Sequence, residues 1–311
     1  MKITKWERFV LYPLVAILLI LFTFYDLPIM QSLYNQSNVF GRMGELGGEI
    51  PTQLLGVVAG FWLFRFRDKT TKKRLILYGI LFALVALFFA GYGGGQIWTY
   101  LKSDQSAYSW HPGIWFAAVI AAVYLLVGGL LAFLTKISSP KETVTFAYFF
   151  IILYAATWLL MNVGKFLWYR PRWRYLVREY SSDPDSYFQP WYILACHGKF
   201  DDHFASFPSG HVMNSLVWVS LCLCTSFIEA FKNKGWIIRV CAYAWAILVA
   251  VSRTIMGAHF PSDTTAGFFF EFFLFDMLST FFYPWFQKKL LKAAPVSQNP
   301  PETPSEAQKG Q

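Results

Sequence analysis

Three short polar stretches in an otherwise apolar chain hold the side chains that could do chemistry. One starts at Lys165 and runs through Arg170, Arg172 and Arg174; the second is Phe207-Pro208-Ser209-Gly210-His211; the third runs from Ser252 and Arg253 to His259 and Asp263. Together they offer two histidines, a carboxylate, several fixed cations and the start of a helix. That set suits a phosphate ester. The arginine fork matches phosphate oxygens, free N–H groups at a helix start attract an anion, and an imidazole serves as nucleophile or as acid and base.

Each residue also has a plainer reading. Lys165 alone, at the end of an apolar block, reads as a snorkelling lysine. Arg170, Arg172 and Arg174 follow within nine residues, and that density favours anion binding. Ser209 is a good helix N-cap after Pro208, while Gly210 lets a ligand approach the backbone and His211 follows at once. His259 and Asp263 are four apart. With a helix beginning near Phe260–Pro261, the carboxylate is expected to reach the imidazole and fix its tautomer, and also to cap the helix.

The elements that must position these residues are membrane helices. The chain has 311 residues, 56% hydrophobic and 20% aromatic, with 14% charged against about 25% in an ordinary soluble domain. The apolar residues come in blocks long enough to approach or cross a ~30 Å hydrocarbon core. The fold class expected is all-α, a polytopic membrane bundle of about six to eight transmembrane helices. The net charge of +9 is explained by Lys and Arg at helix ends rather than by nucleic acid. Of four cysteines, Cys222, Cys224 and Cys241 lie in apolar blocks and Cys196 in a polar loop, which is neither a disulfide framework nor a zinc pattern.

In order, spans are expected at 9–25, 46–64, 75–92, 113–134, 144–168, 209–231, 236–256 and 261–286. The second is weak, because Glu45, Glu49, Pro51 and Gln53 make its start polar, so that it begins in the interface or lines the interior. A glycine-rich loop is expected at 93–112, a long polar loop at 169–207, and a disordered cytoplasmic tail at 291–311. Arg239 is placed to snorkel. Glu271 and Asp276 are intramembrane carboxylates that line a lipid groove or pair with another helix. The positive loops 65–74, 136–141, 232–234 and 288–292 all fall on the side of the N-terminus in an eight-span arrangement. Both termini are then cytoplasmic and the three polar stretches extracytoplasmic. Residues 1–140 form an N-terminal set of helices and 141–290 the unit carrying the chemistry.

Lys165-x6-Arg172, Pro208-Ser209-Gly210-His211 and Ser252-Arg253-x5-His259-x3-Asp263 resemble the three signature motifs of the type-2 phosphatidic acid phosphatase superfamily. That family includes lipid phosphatases, undecaprenyl pyrophosphate phosphatases, glucose-6-phosphatase and soluble vanadium haloperoxidases; this apolar chain disfavours the last. The second and third motifs match fully and in order. The first departs: Arg172 is followed by Trp173 where the family has proline, and the alternative register Arg170-Pro171 keeps the dipeptide but shortens the gap. Lys165 with Arg172 keeps the spacing and is preferred.

The resemblance implies a helical phosphatase core of six spans, two fewer than counted here, and a mechanism without cofactor or metal. His259 attacks phosphorus, Asp263 orients it, and His211 protonates the leaving oxygen and later activates water. Lys165, Arg172, Ser209, Gly210 and Arg253 hold the phosphoryl oxygens. Arg170 is a further candidate for phosphate. His203 is a candidate for the head group, though a solvated loop histidine is the commoner case. The expected partners are a lipid phosphate and the membrane lipids. Two rival readings are a phosphotransferase using the same intermediate, and a silent lipid-binding or transport protein, which would need the cations but neither histidine.

Overall fold

A computed structural model describes residues 3–102, 112–196 and 201–293. Their regular structure is helical throughout, apart from one isolated bridge between Ile137 and Ile228. The helices are α1 (Lys5–Leu33), α2 (Val39–Gly47), α3 (Ile50–Arg65), α4 (Lys72–Lys102), α5 (Trp115–Leu134), α6 (Pro140–Trp168), α7 (Trp173–Glu179), α8 (Gly210–Leu216), α9 (Gly235–Ile255), α10 (Pro261–Met277) and α11 (Tyr283–Ala293). Among the described residues six stretches are long and apolar enough to cross a membrane: Lys5–Leu33, Lys72–Lys102, Trp115–Leu134, Pro140–Glu179, Gly235–Ile255 and Pro261–Lys289. The chain is a multi-pass membrane protein. Exposed Phe9, Ile20 and Phe24 on α1, Leu84 and Leu87 on α4, and Leu126 and Leu130 on α5 form the apolar exterior that hydrocarbon covers.

Packing corrects two expectations and decides between the alternatives given for a third. The weak second span is α3, only 16 residues long, about 24 Å at 1.5 Å per residue. It is largely buried among α4, α5 and α6 rather than lipid-facing. The glycine-rich segment after Tyr92 is not a loop, since α4 runs on to Lys102. Gly94 abuts α5 so closely that a Cβ there would lie 2.4 Å from the carbonyl oxygen of Ala117. Small residues favour such close helix pairs in membranes. The sixth span is α-helical only over Gly210–Leu216, and Val217–Ser226 continue as a 3₁₀ helix. At 1.5 and 2.0 Å per residue the pair extends about 30 Å, so the tighter winding lets a short stretch reach across. Of the expected loop at 93–112, residues 103–111 lie outside the described residues, as do 197–200 of the polar loop and 294–311 of the expected tail.

The core lies where α3, α6 and the 3₁₀ segment meet, with Val57, Trp62, Phe146, Phe150, Val217 and Phe227 buried. α1 stands at the rim against α10 and α9 and is fixed by charge. Arg8 grips Asp276 with Nε and Nη2 at 2.9 and 2.7 Å, and Tyr12 donates to the same carboxylate at 3.0 Å. Arg239 does not snorkel; it is buried and donates to Glu7 at 2.6 Å. Glu271 accepts from Thr157 at 2.6 Å, fully buried between α10 and α6. Both intramembrane carboxylates therefore pair with other helices.

Candidate active site

At the opposite end of α1 from Arg8, the ends of α6, α8, α9 and α10 converge on a cavity of about 250 Å³. Lys165, Arg172, Gly210, His211, Arg253 and His259 line it, with Glu49, Asn214 and Asp202. Residues from all three polar stretches thus share one space.

Close packing at two glycines brings the pieces together. A Cβ on Gly164 would lie 2.5 Å from Pro208 Cδ, and one on Gly210 would lie 2.4 Å from Met161 Sδ and 3.4 Å from Lys165 Nζ. α6 ends on Tyr169 in the left-handed region (φ 45°), and an extended Arg172 then opens α7. Arg172 donates from Nη2 to Asp202 at 2.7 Å, and its buried Nε has no partner among the described residues. Arg253, in the last turn of α9, donates from Nη1 to Glu45 at 2.8 Å, and its Nε is likewise without a partner. Two buried guanidinium N–H groups beside a cavity are donors waiting for an acceptor. Glu45, which also receives Arg174 at 3.3 Å, fixes this geometry. Burial pushes its carboxyl up, but Arg253 and Arg174 outweigh that and hold it below the usual carboxylate range.

His259 is 2% exposed. Its Nδ1 lies 2.6 Å from the Ser206 carbonyl oxygen. A nitrogen facing a carbonyl must carry the proton, so Nε2 keeps its lone pair for the cavity. Burial first, then the cations of Arg172 and Arg253, holds the ring's proton affinity well below the ordinary histidine value, and the imidazole stays neutral. Across the cavity His211 has Nε2 3.3 Å from the Glu45 carbonyl oxygen and Nδ1 3.7 Å from Glu49 Oε1. A neutral nucleophile, a second histidine and three cations around one space are equipped to attack, charge-balance and protonate a phosphate ester.

One expectation needs correcting, and three candidates lie outside the cavity lining. Asp263 does not bond to His259. Its carboxylate accepts from Arg170 Nη1 at 2.5 Å, Ser206 Oγ at 2.6 Å and the Phe260 N–H at 2.8 Å. Pro261 begins α10, so Asp263 turns back onto the helix start, as a capping residue does, while His259 precedes the helix. The two are linked through Ser206, whose hydroxyl meets Asp263 and whose carbonyl meets His259. Arg170 is not among the lining residues. It is fully buried, and its donors go to Gln189 O (2.7 Å), Ser262 Oγ (2.8 Å), Asp263 and Asp26 (2.9 Å). His203 stacks on Tyr175 at 4.7 Å between ring centroids and is not among the lining residues. Ser209 lies beside the cavity rather than in its lining. Its N–H donates to the Asp263 carbonyl at 3.0 Å, and its buried hydroxyl has no partner among the described residues.

Sequence reasoning missed Asp26, Ser206 and Asn214. It noticed Glu45 and Glu49 only as a polar start to a doubtful span. That polarity was the available signal, since two acids beside an apolar run have to be placed somewhere wet or paired. Asp26 carried no such signal, being a single acid near the end of a hydrophobic helix.

Residues 144–289 match the PAP2 superfamily. Phosphatidylglycerophosphatase B of Haemophilus influenzae is 25% identical over 226 residues, covering 61% of this chain and 88% of that protein. No solved structure matches the chain.

Proposed function

Residues 144–289 belong to the PAP2 superfamily, and from that premise we propose that the chain is an integral-membrane phosphatase of lipid phosphates that works through a phosphohistidine. The observation that carries this reading is the pair of histidines, His259 and His211, lining one cavity with Lys165, Arg172 and Arg253.

His259 Nε2 attacks phosphorus, and the bond to the leaving oxygen breaks as His211 delivers a proton to it. A water, deprotonated by His211, then attacks the phosphohistidine; the P–N bond breaks and phosphate leaves. Lys165, Arg172 and Arg253 offset the charge that builds on the phosphoryl oxygens, and the Gly210 backbone admits them closely. Asp263 acts at one remove, through the Ser206 linkage, by fixing the loop that holds His259. The chemistry then belongs to 141–290, with residues 1–140 supplying Asp26, Glu45 and Glu49 to its support. The positive loops support cytoplasmic termini and an extracytoplasmic site. There a substrate has its head in water and its tails in lipid. Phosphatidic acid, undecaprenyl pyrophosphate and phosphatidylglycerophosphate fit that description, and the name of the Haemophilus relative favours the last.

The test is phosphate release from these three lipids by the purified, detergent-solubilised chain in EDTA, with His259→Ala beside it. Release that persists in EDTA and vanishes in the folded variant is the expected result. Normal turnover by a folded His259→Ala protein would end the phosphohistidine mechanism.

A further inference from the structure

The cavity has two unlike walls. One is cationic and donor-rich, formed by Lys165, Arg172 and Arg253; the other is formed by Glu49, Tyr92, Gln96, Thr99 and Asn214. On the second wall the amide orientations are set by Glu49. Asn214 directs Nδ2 to Glu49 Oε2 at 3.2 Å, and Gln53, which lies outside the cavity lining, directs Nε2 to the same oxygen at 3.5 Å and to the Tyr154 hydroxyl at 3.3 Å. With the N–H groups turned to the carboxylate, the amide oxygens face away. Asn214 Oδ1 and Gln53 Oε1 have no donor among the described residues. Asn214 is 2% exposed and lines the cavity. Glu49 Oε1 stands 3.7 Å from His211 Nδ1, beyond hydrogen-bond distance. Thr99 gives its hydroxyl proton to the Gly95 carbonyl at 2.8 Å, so its oxygen too is left to accept.

We infer that this second wall is a subsite for a hydroxyl group carried by the alcohol next to the phosphoryl group, with Asn214 and Glu49 as its acceptors. The inference rests on the phosphatase reading, which assigns the phosphoryl group to the cationic wall. A buried acceptor without a donor costs free energy until a ligand supplies one. An ammonium group would also donate, but it would enter beside three fixed cations. A second phosphate would set more acceptors and more negative charge against Glu49 and Asn214. The neutral hydroxyl is the donor that meets neither conflict. At about 30 Å³ of liquid volume per water, a cavity of about 250 Å³ holds more than a phosphoryl group. The preferred head group is thus a phosphomonoester of a hydroxyl-bearing alcohol such as glycerol, and a diphosphate is disfavoured.

The experiment measures kcat/KM for phosphate release by the full chain in detergent. The probes are phosphatidylglycerophosphate, the same lipid phosphate with propane-1,3-diol in place of the phosphorylated glycerol, phosphatidic acid, and undecaprenyl pyrophosphate. Removing that one hydroxyl is expected to lower kcat/KM by about ten- to a hundredfold, the range for a hydrogen bond in which a charged group takes part. The diphosphate is expected to be slower than phosphatidylglycerophosphate. In Asn214→Ala and in Glu49→Gln the difference between the glycerol lipid and its deoxy analogue should shrink to about threefold or less. Equal rates on the two lipids by the unaltered chain, or a diphosphate turned over fastest, would overturn the subsite. So would a Glu49→Gln protein that slows both lipids alike, because Glu49 would then act through His211. In each of those cases His259-dependent release from phosphatidic acid leaves the phosphatase reading standing. Release from none of the four lipids takes both down.

Discussion

Arg170 and Arg172 are two positions apart, both buried, and opposite in use. Arg170 has its guanidinium enclosed by Asp26, Asp263, Ser262 and the Gln189 carbonyl, over the face of Phe260 at 4.1 Å. Arg172 has one carboxylate partner, exposed Asp202, an Nε with none among the described residues, and a place in the cavity lining. The first charge is cancelled by the protein and the second is left partly open. A cation whose charge is already cancelled has little field left for a ligand. Its role is to hold Asp26 on α1 and Asp263 on α10 together.

Breaking this comparison should give two different failures. The largest effect is expected from Arg170→Ala, which leaves two carboxylates buried without their partner. Removing one side of a buried ion pair costs roughly 3–5 kcal/mol, so the variant should show a sharply lowered unfolding temperature in detergent. A protein of unchanged stability would show that the Asp26–Arg170–Asp263 cluster is not structural. Arg172→Ala should keep its thermal stability within about 1 kcal/mol and lose about 10²–10³ in kcat, the range for one donor to a developing anion. Loss of stability with kcat intact would reverse the two assignments.

A pH series sharpens the contrast. His259 is held neutral by burial and by Arg172 and Arg253, so its proton affinity is lower folded than unfolded. Below about pH 6.5 the unfolded chain gains a proton that the folded one refuses, and stability falls with pH there. The acid limb of kcat/KM should accordingly lie below pH 6.5. Arg172→Ala, by removing one of the cations, should move that limb upward. Arg170→Lys, in any protein that folds, should leave it in place. The smallest effect belongs to Ser206→Ala, which loses the hydroxyl to Asp263 but keeps the carbonyl to His259. About 1 kcal/mol of stability and a modest fall in kcat are expected, and a fall as large as that of Arg172→Ala would mean that the linkage from Asp263 carries far more than geometry.

The sequence was most readable where function restricts it. His211, Arg253 and His259 stand out by residue type and position, because each stands at a helix end whose place the apolar blocks already mark, and the three line one cavity. Arg170 against Arg172 was harder. The segment between α6 and α7 is irregular, so no periodicity tells which side chain turns inward, and only the retained spacing from Lys165 favoured Arg172. Asp263 was read correctly as a helix cap and incorrectly as a partner of His259. Four residues of separation promise contact only within one helix, and His259 lies just outside α10. The short α3 and the 3₁₀ continuation of α8 were invisible for a related reason. Apolar composition shows that a segment is buried, but its length and winding are set by the neighbours it packs against.

The ion pairs that fix α1 have a consequence for biosynthesis. Arg8 enters the membrane region 268 residues ahead of Asp276, and Asp26 enters 144 residues ahead of Arg170. At about 5–20 residues per second, the first helix waits roughly 10–50 s for its last partner. Until α10 emerges, Asp26 has neither Ser262 nor the completed Arg170 cluster to hold it. α1 should therefore dock last although it is made first, and a nascent chain would stay without activity until α10 has left the ribosome.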